Sequence, residues 1–126
     1  MVKLTGYKKV KTAVFISGNG SNLKSLIKFS KKKKSPISID LIISNNPKAK
    51  GLKLGSINKI KRKVYNFKKK HKIENHILSD LKEHKVKMIC LAGFMKVLSR
   101  NFITKFKGKI LNIHPSLLPK YKGLNT

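Results

Sequence analysis

The fold is decided by one stretch, VFISGNGSNL, which occupies residues 14–23. The apolar run over residues 12–17 predicts a buried β-strand, and Gly18-Asn19-Gly20 predict a tight turn after it. Ser21 then opens a segment with apolar residues at helical spacing, and its hydroxyl is placed to cap that helix. The helix is expected to bury Leu23, Leu26 and Ile27 and to end at the lysine run 31–34. The stretch therefore predicts a strand, a glycine turn and a helix.

Strand and helix patterns alternate through the rest of the chain. Four more strands are predicted, at residues 38–44, 63–67, 86–92 and 109–113. Helices are predicted near residues 49–57, along a stripe of Ile73, Ile77 and Leu81, and after Ser99, where Phe102, Ile103 and Phe106 are expected to face inward. This alternation predicts an α/β fold, a Rossmann-like and mostly parallel sheet with helices on both faces. We expect one domain over residues 1–126, with a ligand at the C-terminal edge of the first strand.

The charge of the chain is extreme, with 31 basic and 4 acidic residues and a formal net charge of +27. Such a charge is typical of nucleic-acid or membrane-surface binding. Only Arg62 and Arg100 are arginines, however, whereas phosphate and base recognition favours the guanidinium group. Isoleucine, asparagine and lysine are abundant, as AT-rich coding would make them. We therefore favour composition bias over nucleic-acid binding, and expect the positive field to attract small anions such as phosphates and polyglutamate tails.

The apolar runs are short, and the longest, residues 88–92, is far below the roughly 20 residues that span a bilayer. The N-terminal residues contain no apolar stretch of signal-peptide length. The sequence thus predicts a soluble, cytoplasmic protein without a membrane partner. Cys90 has no partner for a disulfide or a metal site and is expected in the core. No metal is expected, and surface positions are predicted for His71, His76 and His84.

The glycine turn is a candidate anion site. Its glycines let the backbone approach a ligand, and free N–H groups at the start of the following helix attract a phosphate. The P-loop spacing GxxxxGK[ST] is absent, and so is the third glycine of the dinucleotide fingerprint. From these residues alone, a strand-to-helix turn without a ligand is an equal alternative.

A second candidate lies at residues 112–119, NIHPSLLP. Strand alternation places the side chains of Asn112 and His114 on the same side at the C-terminal edge of the last strand. An imidazole beside an amide suits acyl transfer, in which a developing oxyanion needs a hydrogen-bond donor. A purely structural histidine is an equal alternative from these residues alone.

Three blocks carry a family resemblance when they are taken together and in order. They are VFISGNGSNL at residues 14–23, LAGFMKVLS at 91–99 and LNIHPSLLPKYKGLNT at 111–126. The chain resembles the phosphoribosylglycinamide formyltransferases of purine biosynthesis. The resemblance implies a folate-dependent transferase of one-carbon metabolism, which passes the formyl group of 10-formyltetrahydrofolate to the amine of glycinamide ribonucleotide. It runs over essentially the whole chain, but the C-terminal third of the family pattern is lacking, so the chain is expected to be truncated.

The same resemblance implies roles for particular residues. The amides of Gly20, Ser21 and Asn22 would hold the ribonucleotide phosphate. Asn112 and protonated His114 would be catalytic and would stabilise the oxyanion. The folate pocket would be formed largely by backbone groups of residues 95–98, with Asn112 and, at a less certain basic position just before the third helix, Lys70. Its wall is thus assigned to Met95, Lys96, Val97 and Leu98.

The sequence departs from the family pattern in three places. Asn125 stands where a histidine is usual, and Lys96 where an arginine is frequent. The aspartate that helps to keep the catalytic histidine protonated is expected beyond Thr126, and no acid in the sequence replaces it. Poor catalysis and an exposed edge on the last strand, with reduced stability, are therefore expected of these 126 residues. A basic nucleic-acid-binding domain, a methionyl-tRNA formyltransferase and a non-catalytic remnant that still binds ligand stay open as alternatives.

Overall fold

A computed structural model describes residues 8–113, in which five strands alternate with four helices. One turn of 3-10 helix at Phe67–Lys69 precedes the third helix. In chain order the elements are β1 Val10–Ile16, α1 Ser21–Ser30, β2 Ile37–Ser44, α2 Leu52–Ile57, β3 Lys61–Val64, α3 Lys70–Glu83, β4 Met88–Leu91, α4 Arg100–Lys105 and β5 Lys109–Asn112.

The strands form one sheet in the order β3-β2-β1-β4-β5, and all four pairings are parallel. The chain steps from β1 through β2 to β3 on one side, and then returns to place β4 and β5 on the other. The strand order therefore reverses between β1 and β4. In open parallel sheets a ligand crevice forms at the carboxyl ends of the two strands on either side of such a reversal. The predicted α/β class with a parallel sheet is confirmed.

β1 occupies the centre because its side chains are apolar on both faces. Ala13, Val14, Phe15 and Ile16 are completely buried. Continuous apolar strands of this kind are typical of parallel sheets that are covered on both sides. The edge strand β3 reads KRKV and is largely exposed, which suits an edge that must remain in water.

Each face of the sheet has its own core, and the alternation of side chains along the strands separates the two. On one face, Phe15 and Ile89 pack with Ile77 of α3 and Phe102 of α4. On the other face, a second cluster joins the sheet to α1 and the α2 region, and includes Val14, Ile16, Ile42, Leu23, Leu26 and Ile27. The prediction of helices on both faces is therefore confirmed.

Several predicted details are wrong, mostly at the ends of elements. Ile103 was expected to face inward but is 51% exposed, because α4 turns only Phe102 toward the sheet and Phe106 is buried just after the helix ends. The third strand lies at Lys61–Val64 rather than at residues 63–67. A 3-10 turn ends the extended segment early, since the Asn66 side chain accepts a hydrogen bond from the amide of Lys68. Lys70 is the first residue of α3, not the residue before it.

Other expectations concern single residues and the membrane. No helix within residues 8–113 is long and apolar enough to cross a bilayer. Cys90 is buried in the sheet, as predicted. His71 and His76 are exposed, whereas His84 is half-buried with its Nδ1 atom 2.9 Å from the backbone oxygen of Asp80.

Candidate functional site

The glycine turn after β1 is held in a conformation that requires glycine at one position. Gly20 has a φ of 81°, in the left-handed region that side chains with a Cβ rarely adopt. A Cβ on Gly20 would also lie 2.6 Å from the Cα of Gly51, which is closer than real Cβ atoms come to another atom. Gly18 is different, because a Cβ there would meet no atom within 4 Å. Gly20 therefore shapes the turn, whereas Gly18 leaves space beside it.

The structure corrects the prediction that Ser21 caps α1. Gly20 is the residue that precedes the helix, and no side chain caps it. The side chain of Asn19 takes over part of this role, since its Oδ1 accepts a hydrogen bond from the Ser21 amide at 3.1 Å. The first helical hydrogen bond runs from Lys24 N to Gly20 O. Within residues 8–113, the amides of Gly20 and Asn22 therefore have no protein acceptor, as is usual at a helix start.

A small cavity of about 120 Å³ opens beside this turn. It lies between the carboxyl ends of β1 and β4, where the strand order reverses. The residues lining it are Gly18, Asn19, Gly20, Ser21, Asn22, Ala92 and Gly93. All three residues assigned to the phosphate by the resemblance are thus brought together at one cavity.

The glycine turn is held by hydrogen bonds from the segment that follows β2. The amide of Gly51 donates to the carbonyl oxygen of Gly18 at 3.1 Å. The side-chain amide of Asn46 donates to the carbonyl oxygen of Ser17 at 3.2 Å. These bonds hold the turn from outside its own sequence, so its amides are oriented before any ligand arrives.

Ser17 connects the turn to the segment after β4. Its buried hydroxyl donates to the side-chain oxygen of Asn45 and accepts a hydrogen bond from the amide of Met95 at 2.8 Å. The residues joined by the second bond are 78 positions apart in the chain. One side chain therefore ties the glycine turn to the segment assigned to the folate.

That segment, residues 93–98, links β4 to α4 and is called here the β4–α4 connection. Phe94 anchors it, with its ring edge-to-face against Phe15 at 5.4 Å and Phe67 at 5.6 Å between centroids. Leu98 is buried in the core of the α3–α4 face. Between these anchors the side chains of Met95 and Val97 are 78% and 76% exposed. The connection therefore presents apolar side chains and backbone to solvent from a fixed position.

Lys70 lies near the β4–α4 connection because the contact between Phe67 and Phe94 joins the start of α3 to that connection. Phe67, which packs on Phe94, begins the 3-10 turn that leads directly into α3 at Lys70. The start of α3 is thus adjacent to the β4–α4 connection. A direct contact between Lys70 and residues 95–98 is not seen among the described residues.

Asn112 ends β5 at the same edge of the sheet. It is paired with Leu91, which in turn is paired with Phe15. Ile110 packs into the cluster of the α3–α4 face, and side-chain alternation places Asn112 on that same face, where Phe94 also packs. Asn112 is exposed there. The prediction for His114 falls outside residues 8–113.

The side chains of Asp80, Asp40 and Cys90 are paired or buried outside the glycine turn. Asp80 pairs with Lys63 at 2.9 Å, and Asp40 accepts a hydrogen bond from Ser38 at 2.7 Å. Burial raises the pKa of the Cys90 thiol from 9.0 to about 11, so it remains protonated and is a poor nucleophile at neutral pH. Among the described residues, no three side chains of His, Cys, Asp or Glu come together as a metal site.

Comparison with known proteins identifies the family. The sequence pattern described as formyl transferase matches residues 10–126. The chain belongs to the formyl transferase family. It is 44% identical over 119 residues to the phosphoribosylglycinamide formyltransferase of Haemophilus influenzae, a match over 92% of this chain and 56% of that protein. It is 45% identical over 121 residues to the human trifunctional purine biosynthetic protein adenosine-3, over 94% of this chain and 12% of that protein.

Solved structures agree with this membership. The phosphoribosylglycinamide formyltransferase of Brucella melitensis superposes with a TM-score of 0.81 at 40% identity, covering 94% of this chain and 64% of that one. The corresponding protein of Anaplasma phagocytophilum gives 0.77 at 44% identity, covering 94% and 56%. The chain therefore spans little more than half the length of these single-enzyme formyl transferases.

Two residues of the site were not predicted as functional from the sequence. Ser17 was read as the end of a strand, although a hydroxyl directly before a glycine turn is placed to hold a neighbouring loop. Glu74 was given no role from the sequence. It lies three residues before Ile77 and is almost completely buried, so an acid within the apolar stripe of α3 was the available signal.

Proposed function

We propose that this chain carries the substrate-binding region and part of the catalytic apparatus of a phosphoribosylglycinamide formyltransferase. The reaction would transfer a formyl group from 10-formyltetrahydrofolate to the amine of glycinamide ribonucleotide. The observation that carries the proposal is the hydrogen bond between Ser17 and Met95, which joins the glycine turn to a segment with exposed apolar side chains. A formyl acceptor that bears phosphate and a formyl donor whose ring system can pack against apolar side chains need such adjacent sites.

The ribonucleotide phosphate is assigned to the glycine turn. The free amides of Gly20 and Asn22 and the start of α1 supply hydrogen-bond donors and a favourable dipole for an anion. The amide of Ser21 donates to the side chain of Asn19 and would bind the phosphate only after a rotation of that side chain. The high positive charge of the chain would draw the anionic substrate toward this edge.

The formyl donor is assigned to the β4–α4 connection. Met95, Lys96 and Val97 would contact the folate largely through backbone groups. The neighbouring Leu98 is buried in the core and would hold their backbone in place. Lys70 would serve as a basic group at the start of α3, where a folate carboxylate can pair with it. These assignments rest on the family resemblance together with the exposure of the connection.

Catalysis is assigned to Asn112 and His114. The amine nitrogen would attack the formyl carbon, and the carbonyl oxygen would become an oxyanion that both side chains stabilise by donating hydrogen bonds. The intermediate would then collapse, with the carbon–nitrogen bond to tetrahydrofolate broken, a proton lost from the attacking amine and a proton gained by the departing folate nitrogen. Asn112 has the position for this role, at the edge of the sheet that carries the glycine turn.

Binding and turnover are tested separately on the 126-residue chain. Calorimetric titrations with glycinamide ribonucleotide and with 10-formyltetrahydrofolate measure binding, and folate absorbance measures transfer. A Cβ at Gly18, which lines the cavity, meets no atom within 4 Å. We therefore expect Gly18→Leu to extend a side chain into the cavity and to weaken ribonucleotide binding at least about tenfold while folate binding persists. Lys28→Leu, an exposed change on α1, is its control.

The catalytic assignment uses a second pair of variants. Asn112→Ala is expected to lower the transfer rate by about 10²-fold, the usual cost of removing an oxyanion donor. Leu111→Ala, the neighbouring exposed residue of β5, is expected to leave the rate within about twofold. Turnover that survives both Asn112→Ala and His114→Ala would contradict the catalytic assignment. Failure to bind either ligand, together with binding of duplex DNA at moderate salt, would favour the basic nucleic-acid-binding domain instead.

A further inference from the structure

Glu74 is a buried carboxylate in α3 that points at the start of α4. The residue is 2% exposed. Its Oε2 accepts the backbone N–H of Ser99 at 2.8 Å, and its Oε1 accepts the Ser99 hydroxyl at 2.5 Å. Within residues 8–113 no cationic group pairs with it, since the ion pair found there joins Lys63 and Asp80. Glu74 therefore directs both oxygens at a single residue 25 positions away.

The contact completes a helix cap that the local sequence cannot make. In a capping box the Ser at the N-cap binds the amide three residues on, and a Glu at that third residue reaches back to the N-cap amide. Ser99 makes the first of these bonds, with its Oγ accepting from the amide of Phe102 at 3.1 Å. The third residue is Phe102, which has no acceptor in its side chain. Glu74 supplies the missing carboxylate from another helix.

This borrowed cap fixes one end of the β4–α4 connection. Ser17 holds the connection at Met95, and Glu74 holds it at Ser99. Met95 is itself one of these fixed points and Val97 lies between them, and the side chains of both are exposed. Removing the carboxylate would leave the Ser99 amide and hydroxyl without acceptors in a half-buried setting, so the segment before Ser99 would lose its fixed end.

We propose that Glu74 is a positioning residue for the formyl-donor site, which holds the β4–α4 connection in the conformation that receives the folate. The identity of the ligand rests on the proposed function above, whereas the contact with Ser99 does not. Glu74 touches no substrate in this scheme and acts through Ser99 and the backbone of residues 95–98.

The test compares three variants of the full chain. Glu74→Ala removes both acceptors. Glu74→Gln keeps one acceptor for the Ser99 amide, and its NH₂ group can donate to the Ser99 hydroxyl oxygen, so the geometry should survive. Glu83→Ala removes an exposed acid from the same helix and is the matched control. Amide hydrogen exchange of residues 94–99 is measured without ligand, and titrations with 10-formyltetrahydrofolate and glycinamide ribonucleotide follow.

A positioning role gives a selective pattern. We expect Glu74→Ala to speed exchange at residues 94–99 by about tenfold and to weaken folate binding by about tenfold or more, with ribonucleotide binding within about twofold. Glu74→Gln should restore both readouts to within about threefold of the unmodified chain, and Glu83→Ala should change neither.

Other outcomes overturn the proposal or separate it from the proposed function. Equal weakening of both ligands by Glu74→Ala, in step with a general rise in exchange, would show a role in stability alone and sink the proposal. Unchanged exchange at residues 94–99 in Glu74→Ala would do so as well, even if the variant unfolded more easily. If the unmodified chain binds the ribonucleotide but no folate, the formyl-donor assignment fails, and the positioning role at that site fails with it. Ser99→Ala, which removes only the hydroxyl, should give a smaller effect in the same direction if Glu74 acts through Ser99.

Discussion

Gly20 and Gly51 lie against each other backbone to backbone, and a Cβ on Gly20 would come within 2.6 Å of the Gly51 Cα. The contact joins the glycine turn after β1 to the residue that precedes α2. A Cβ on Gly51 would in turn meet the Ile16 side chain at 2.7 Å and the Gly20 Cα at 3.1 Å. The shape of the glycine turn thus depends on two glycines that are distant in sequence.

Gly20→Ala is expected to destabilise the fold by about 2–4 kcal/mol, because the left-handed backbone and the contact with Gly51 add their costs. Urea denaturation measures the change. Gly18→Ala is the control, with an expected change within about 0.5 kcal/mol, since a Cβ at Gly18 meets nothing within 4 Å. Similar midpoints for the two variants would contradict the assigned role of the Gly20–Gly51 contact.

Ser17→Ala is expected to cost about 1–3 kcal/mol, because the amide of Met95 loses its acceptor in a partly buried place and the side chain of Asn45 loses a donor. Amide exchange should accelerate most at Met95. Ser25→Ala, on the outer side of α1, should change stability by less than about 0.5 kcal/mol. Unaltered protection of the Met95 amide in Ser17→Ala would mean that the bond does not hold the connection.

Lys63→Met is expected to destabilise the protein by about 1–3 kcal/mol, because it leaves the Asp80 carboxylate without its cation in a mostly buried place. One oxygen of Asp80, Oδ2, already has no hydrogen-bond partner among the described residues. Asp80→Asn should cost less, since it removes the buried charge itself and the cation that is left without a partner, Lys63, is partly exposed. Thermal unfolding is the measurement, and Lys61→Met in the same strand is the control. Equal effects of Lys61→Met and Lys63→Met would argue against the ion pair.

The Cys90 thiol predicts a specific loss of stability at high pH. Its pKa is raised by burial from 9.0 to about 11, so below pH 9 both the folded and the unfolded states hold the proton. As the pH rises from 9 toward 11, the unfolded state releases its proton first, and stability falls by up to about 3 kcal/mol.

Cys90→Ala removes this group and should show a shallower decline over the same pH range, whatever its stability at neutral pH. Lysine titration contributes to both proteins and cancels in the comparison. Parallel curves of unfolding free energy against pH would contradict the burial of the thiol in the folded state.

Much of the fold could be predicted because its signals are local. The apolar run before the glycine turn and the spacing of Leu23, Leu26 and Ile27 are short-range patterns, and both elements lie where they were predicted. The prediction that Ser21 caps α1 was wrong because the N-cap position is occupied by Gly20, whose left-handed backbone precedes the helix. The prediction that Ile103 faces inward was wrong because helical spacing alone cannot tell which side of a short helix packs against a sheet.

The candidate site was predicted only in part. The residues at the cavity come from two sequence blocks that the resemblance had already joined, and the structure brings them together at the reversal of strand order. The hydrogen bonds from the Met95 amide to Ser17 and from Ser99 to Glu74 could not be predicted, because they join residues 78 and 25 positions apart and leave no periodic pattern in the sequence.

The cap that Glu74 of α3 provides for α4 also affects the order in which parts of the chain fold. A local capping box can close as soon as its own turn exists, whereas this one needs a loop of 25 residues to close first. We therefore expect the β4–α4 connection to acquire protection late in refolding, after α3 has docked on the sheet, whereas the hydrogen bonds within α1 join neighbouring residues and can form early. Pulse-labelled exchange would show the amides of residues 94–99 protected after those of α1. In such a chain the helix after the glycine turn would exist before the β4–α4 connection is fixed at Ser99.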